Sequence, residues 1–243
     1  MENHQILQFQ RLDHFLSQGW YRMGQTLFTN DYIYIEGKWV RVFWLRFRLS
    51  DFSWGSKQNA LLKKFPLPIS LCPFSWTDTH EELFQEYRAS VLFDAPNSAR
   101  RYLMDDGAGN ESPTNFFPSL QFEIRDGATL KGCGVFDRGY KSIAGILNIF
   151  HPDLKPFSPG KVLMLKKLEW ALHQNFSFYY PGYIAWKYSK FDYKLFPGQK
   201  WAELWDPVEK VWFPYSHAAM EEMAKAQAPL FEHALPQITD PEP

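Results

Sequence analysis

The stretch Ile143–Lys194 limits the possible folds more than any other part of the chain. An apolar run, Ile143–Phe150, is followed by a loop holding Pro152, Asp153, Ser158, Pro159 and Gly160, then by helical periodicity over Lys161–Gln174, then by an aromatic run, Phe176–Trp186. Two apolar runs joined by a helix read as a strand, loop, helix, strand unit of a parallel sheet. The helix sets Val162, Leu165, Leu168 and Leu172 on one face, with Lys166 and Lys167 elsewhere. In such units a ligand tends to sit where the first strand's carboxyl end meets the helix's amino end. Unpaired N–H groups point outward there and the helix dipole favours negative charge. Ser158, Gly160 and Lys161 mark that corner and are candidate anion contacts; Ser158-Pro-Gly160 is also an ordinary way to start a helix.

The residues before this unit read as antiparallel. A helix over Gln5–Ser17 stops at Gly19, and Gly19-Trp-Tyr-Arg-Met-Gly24 leads into a strand over Gln25–Thr29. Two strands span Asp31–Leu49 with Glu36-Gly37 as their turn, and period-two alternation puts Arg46 and Arg48 on one face. Helices are expected over Ser56–Lys64, Thr79–Leu92 and Ser98–Met104, and a hairpin over Ser119–Asp137 turns near Asp126-Gly127. The aperiodic Asp105–Pro118 segment is expected to separate an amino-terminal lobe, 1–105, from a core over 119–215, with Trp201, Trp205 and Trp212 in a packing flap. A polar helix from Ser216 to Gln227 and an acidic, proline-rich tail occupy 216–243. The fold class is therefore α+β with a mixed antiparallel and parallel sheet plus a smaller lobe.

A net charge of −1 conceals an uneven distribution. Seven Lys or Arg lie between Lys38 and Lys64 against Asp51 alone, and eight lysines lie between His151 and Lys200 against three acids. From Glu203 onward there are eight acids against Lys210 and Lys225. Such runs are either solvated surface or, where folding joins them, a polyanion-binding face. Two cysteines, Cys72 and Cys133, build neither a disulfide framework nor a metal site, and the histidines lack ligand spacing, so no metal is expected. With no signal-like leader and no membrane-length apolar run, a reducing cytoplasmic setting without membrane contact is expected.

The element order resembles the GNAT-like acyltransferase fold shared by N-acetyltransferases and aminoacyl-tRNA-protein transferases. The motifs resemble the second group. Gly19-Trp-Tyr-Arg-Met-Gly24 and the strand Arg46–Phe52 come first. Val135-Phe-Asp137, Ser142, Phe150-His-Pro-Asp153, Ser158-Pro-Gly160, Leu168-Glu-Trp-Ala171, Tyr180-Pro-Gly-Tyr183 and Tyr193-Lys194 then follow in the order found in arginyl- and leucyl-tRNA-protein transferases. The resemblance covers most of Leu12–Trp201. The chain departs from the family in having no cysteine before Cys72, hence no amino-terminal cysteine cluster, and in having Tyr21-Arg22-Met23 in place of Arg-Arg-Ser.

The resemblance implies transfer of arginine or leucine from charged tRNA to the amino terminus of an N-end rule protein, with aminoacyl-tRNA as co-substrate and no other cofactor. An amine attacking an activated ester needs a group to orient or deprotonate it, donors for the oxyanion, and a seat for the terminal nucleotide. Asp137 fits the first role. Tyr180, Tyr183 and Tyr193 fit stacking of adenine or donation to the oxyanion. Arg22, Arg46, Ser158, Gly160, Lys161 and Lys194 fit contacts to substrate or tRNA. Each also has a structural reading: Asp137 as a turn cap, the tyrosines as core, Arg22 and Arg46 as partners of acids on neighbouring strands. The alternatives are a CoA-dependent N-acyltransferase, which ordinarily has a glycine-richer phosphate loop than one containing Gly160 alone, and a non-catalytic binding module on the same scaffold.

Overall fold

The computed structural model describes residues 2–91, 95–104 and 114–232. Helices α1 (Glu2–Ser17), α2 (Ser56–Lys64), α3 (Asp78–Ala89), α4 (Ala99–Leu103), α5 (Pro159–His173) and α6 (His217–Glu232) surround a nine-stranded sheet. Strands β1 (Tyr21–Met23) and β2 (Thr26–Phe28) form a separate ribbon. The large sheet contains β3 (Tyr32–Ile35), β4 (Lys38–Arg48), β5 (Ile69–Pro73), β6 (Ser119–Asp126), β7 (Thr129–Arg138), β8 (Ser142–Phe150), β9 (Phe178–Ala185), β10 (Ala202–Asp206) and β11 (Val211–Pro214). Its order is β11-β10-β4-β9-β8-β7-β6-β5, with β3 paired to β4. All pairs are antiparallel except β8 with β9.

This order corrects the expected division into lobes. Strand β4, from the supposed amino-terminal lobe, lies between β10 and β9, and β5 forms the far edge. The physical reason lies in its sequence: Val40–Leu45 and Phe47 are all buried, so β4 is apolar on both faces and needs cover on both. The expected tryptophan flap is likewise the β10–β11 hairpin, which extends the sheet past β4. The Gly19–Gly24 segment itself contains a strand, Tyr21–Met23, which turns at Gly24 with φ 62° into β2. Of the expected Asp105–Pro118 loop, residues 105–113 lie outside the described residues, as does the tail over 233–243.

Helix α5 packs on one face of the sheet. Leu163, Leu165, Leu168 and Ala171 are fully buried against Phe43, Phe47, Phe136 and Tyr179. Each large apolar side chain so removed from water contributes about 1.5–3 kcal/mol. The opposite face is covered by α3 and α4 over β7 and β8, and by α1 with Tyr21 over Trp44, Ala144 and Tyr180. The strand, loop, helix, strand unit and the Ser119–Asp137 hairpin stand where the sequence places them.

Two irregularities open the centre of the sheet. Strands β8 and β9 pair only at Ser142 with Phe178, Ile143 with Tyr179 and Ala144 with Tyr180, although both run on for several residues. Just past that point β8 carries an extra residue, Ile146, since Val135 pairs with Leu147 and Phe136 with Gly145. Strand β9 carries its own bulge at Tyr180-Pro181, because Leu45 pairs with Gly182 and Phe47 with Tyr179. A bulge bends its strand, and a proline without an N–H is tolerated inside a sheet only at such a place. Both strands therefore turn apart beyond Ala144 and Tyr180.

Candidate functional site around the strand opening

Asp137 stands near the end of β7, in register with Ser119 of β6 and Ala144 of β8, and its side chain is fully buried. Arg22 Nη1 and Ser119 Oγ donate to its Oδ1 at 2.9 and 2.5 Å. Burial raises the Asp137 carboxyl above its ordinary range, and the Arg22 guanidinium opposes that shift. Oδ2 is buried with no hydrogen-bond partner. A buried acceptor left unpaired is costly, and in a native fold it calls for a reason.

Arg22 does not face solvent, contrary to its expected role as a tRNA contact. Its five N–H groups reach Gly24 O, Ser119 Oγ, Asp137 Oδ1, Leu103 O and Asn115 Oδ1 at 2.7–3.0 Å, and its guanidinium lies over Phe117 at 4.3 Å. Asn115 Nδ2 donates to Ser119 Oγ at 2.8 Å, tying the start of β6 to the same network. The reading in which Arg22 pairs with an acid is the one the geometry follows.

Arg46 and Tyr180 form a second cluster. Arg46 Nε donates to Glu203 Oε2 at 2.7 Å, its register partner on β10, and its guanidinium stacks over Phe178 and Trp212 at 4.1 and 4.4 Å. The buried Tyr180 hydroxyl is hydrogen-bonded to Arg46; burial pushes its phenol up to about 12 although Arg46 pulls the other way. Both residues are thus engaged in holding β4, β9 and β10 together, as in the structural reading of Arg46 as the partner of an acid and Tyr180 as core.

A third group lies beside the far half of β9. Tyr193 and Lys194 sit in a 3₁₀ turn, Ser189–Leu195. Tyr193 is 43% exposed, yet burial of its phenol end, with Tyr87 and Tyr183 nearby, pushes it up to about 12. Lys194 Nζ donates to Tyr183 O at 2.8 Å and lies over the Tyr183 and Phe191 rings, and burial pushes its ammonium down to about 7. Gly182, at φ 101°, passes so close that an added Cβ would lie 3.1 Å from Lys194 Nζ. Lys161, from the first turn of α5, lies over Phe196 at 4.8 Å, so the helix start and this turn share one side of the molecule.

The helix start itself is a poorer anion seat than the sequence suggests. Ser158 is left-handed at φ 51°, Pro159 has no N–H, and the N–H groups of Lys161 and Val162 both donate to Ser158 O. Among the described residues of that turn, only Gly160 keeps an N–H without a backbone partner. Lys167, expected off the apolar face, is buried instead. Its Nζ donates to Val135 O, Leu147 O and Asn148 Oδ1 at 2.8–3.2 Å, which satisfies the backbone around the β8 bulge, and burial pushes it down to about 7. Ser119, Asn115 and Glu203 complete these clusters and carry no local sequence signal, and Tyr21 lies within the Gly19–Gly24 element without a role assigned to it from the sequence.

Two cavities lie elsewhere. One of about 340 Å³, lined by Trp186, Lys187, Asp192, His217 and Glu221, lies where β9 ends against α6. One of about 180 Å³ separates α2 from α5. Neither contains Asp137, so the strand opening is marked by its chemistry and not by its volume. Among the described residues no group of three or more His, Cys, Asp or Glu is placed to hold a metal, and no helix is long and apolar enough to cross a membrane.

Antiparallel strands leading into a splayed strand, helix, strand unit define an α+β domain built on a mixed sheet. Residues 79–199 match the family described as arginine-tRNA-protein transferase, C terminus, and over that stretch the chain belongs to this family. The match contains Asp137, Ser158–Lys161, Tyr183, Tyr193 and Lys194, and leaves Arg22 and Arg46 outside it. No curated protein matches the chain in sequence.

Solved structures give partial likenesses. The C-terminal domain of a candidate lysylphosphatidylglycerol synthetase from Agrobacterium fabrum has 13% identity and a TM-score of 0.39, over 60% of this chain and 49% of that one. L-PGS from Bacillus licheniformis has 10% identity and a TM-score of 0.40, over 62% and 49%. A GCN5-related glucosamine N-acetyltransferase region of a fungal multi-domain GH3 β-N-acetylglucosaminidase has 12% and 0.39, over 80% and 22%. The chain thus spans about half the length of the first two. Likenesses of this size carry no activity, ligand or partner across.

Proposed function

We propose that the protein moves an aminoacyl group, arginine or leucine, from charged tRNA to the amino terminus of an acceptor protein or peptide. The observation that carries this reading is the match of residues 79–199 to the arginine-tRNA-protein transferase C terminus, which spans the splayed β8–α5–β9 unit and Asp137. Asp137 Oδ2 is the acceptor for the incoming amine: it is an unpartnered oxygen on a carboxyl fixed from its other side by Arg22 and Ser119. Tyr183 and Tyr193 offer ring faces to the terminal adenine. Lys161 and Lys194 lie on the side where the nucleotide's phosphate would approach.

The CoA-dependent alternative is less well supported, since a diphosphate wants several converging N–H groups and the start of α5 supplies one. The test is transfer of radiolabelled arginine or leucine from charged tRNA to peptides beginning with Asp, Glu, Lys or Arg. Incorporation into one peptide class supports the reading and identifies donor and acceptor together. No incorporation with any pair, alongside turnover of acetyl-CoA, overturns it in favour of the CoA enzyme; silence in both assays overturns it in favour of a binding module.

A further inference from the structure

The ladder between β8 and β9 ends at Ala144 with Tyr180, and the next position is occupied by a side chain from outside the family match. The Tyr21 hydroxyl donates to Gly145 O and lies 3.2 Å from Tyr180 O. Those carbonyls flank the point where the strands part, so the hydroxyl stands where the next rung of the ladder would be. The ring is held firmly: it is buried and stacks on Trp44 at 5.0 Å with planes 22° apart, and Trp44 packs in turn on Phe28 and Tyr183. Burial holds the phenol well above its ordinary range, so it stays protonated and is a donor.

One hydroxyl hydrogen faces two carbonyl acceptors here, so it is already shared. Turning it to a third acceptor gives up the bond to Gly145 O, as Tyr180 O already goes without a full share of it. Space at this point is guarded, since a Cβ on Gly145 would come within 3.0 Å of the Tyr179 hydroxyl. The neighbouring residue of the same strand, Arg22, holds Asp137, whose register partner Ala144 precedes Gly145. One short element thus delivers a donor and a clamped carboxyl to consecutive positions of β8.

We propose that Tyr21 is a catalytic residue that donates its hydroxyl hydrogen to the carbonyl oxygen of the aminoacyl ester lying in the β8–β9 opening. The inference rests on the aminoacyl-transfer reading. The acceptor's amine nitrogen bonds to the ester carbon, and the carbonyl's π pair moves onto the oxygen that Tyr21 meets. The pair then returns, the bond to the ribose oxygen breaks, and that oxygen takes the proton the amine gives up. A donor fixed before the reaction needs no reorganisation as the oxyanion forms.

Tyr21→Phe keeps the ring stacked on Trp44 and removes only the hydroxyl. In the charged-tRNA transfer assay its kcat is expected to fall about 100-fold with KM within about twofold, the scale of losing one oxyanion donor. A thermal melt confirms folding. A plain structural staple would change the melt and leave the kcat to KM split unmoved. As a second readout, the ¹⁹F resonance of 3-fluorotyrosine placed at position 21 is expected to shift on adding 3′-arginylamino-3′-deoxyadenosine, a stable amide analogue of the charged tRNA end. A wild-type protein that transfers, with Tyr21→Phe transferring at the same kcat, overturns this inference alone. A still resonance in a protein that binds the analogue does the same. A wild type that neither transfers nor binds the analogue overturns the transferase reading, and the role of Tyr21 with it.

Discussion

Two sets of basic side chains, arginines of β1 and β4 and lysines of α2, meet opposite fates. Arg22 and Arg46 are drawn inside: each has a carboxylate partner, Asp137 and Glu203, and an aromatic ring beneath it. The lysines of α2, Lys57, Lys63 and Lys64, stay exposed, and α2 packs beside α5 near Lys166. The difference follows from chemistry. A guanidinium has five donors in a fixed plane and tolerates burial when all are met, whereas an ammonium is strongly hydrated and stays at the surface. The arginines brace the strands around Asp137 and Tyr180, and the lysines of α2 stay in water.

Substitutions sharpen this contrast, beginning with the largest effect. Arg22→Met leaves Asp137 buried without its counter-ion and is expected to destabilise the fold by roughly 3–5 kcal/mol, read from urea unfolding. Lys167 is, with Lys194, an exception to the rule about lysines, and Lys167→Met tests it. It strips Val135 O, Leu147 O and Asn148 Oδ1 of a donor, for a loss of roughly 1–3 kcal/mol in the same measurement.

Lys167 also makes a pH prediction. Its folded pKa of about 7 lies below the free value of 10.5, so between these limits the unfolded chain binds the extra proton. Its contribution to unfolding free energy therefore rises with pH from about 7 to 10.5 and is flat below that window. Urea melts across the range are expected to show this rise in the wild type and a shallower one in Lys167→Met.

The smallest effect belongs to the exposed side. Replacing both Lys63 and Lys64 by Ala is expected to change stability by no more than about 0.5 kcal/mol. The slope of log affinity for tRNA against log salt is expected to fall by about 1–2. A loss of stability there, or an unchanged slope, would erase the distinction between scaffold and ligand-facing charge.

What the sequence discloses follows the range of the interactions involved. The Glu36-Gly37 turn, with φ of 51° and 79°, the hairpin through Gly127 and helix α2 are set by neighbours in the chain, and all stand where expected. Strand β5 was not expected, because Pro66, Pro68 and Pro73 surround a short edge segment whose strand character comes from pairing with β6. The separate lobe fails for the same reason, since β4 finds β9 across more than a hundred residues. At the site, Asp137, Tyr183, Tyr193 and Lys194 are legible as motifs. That Arg22 belongs to Asp137, 115 residues away, is decided by how the β1–β2 ribbon packs on the large sheet, and that Arg46 belongs to Glu203, 157 away, by the register of β4 with β10. The poverty of the α5 start is nearly local: Pro159 removes one donor, and the left-handed Ser158 turns its carbonyl to take two more.

The most direct test of the account is Asp137→Asn, measured for transfer from charged tRNA to the preferred peptide beside a thermal melt. The amide is nearly the carboxyl's size and can still accept from Arg22 and Ser119 through its oxygen, but its nitrogen cannot accept from an amine or take its proton. A folded protein whose transfer rate falls about 100-fold or more is the predicted result. A folded Asp137→Asn that transfers at the wild-type rate would contradict it, leaving Asp137 as the partner of Arg22 and nothing else.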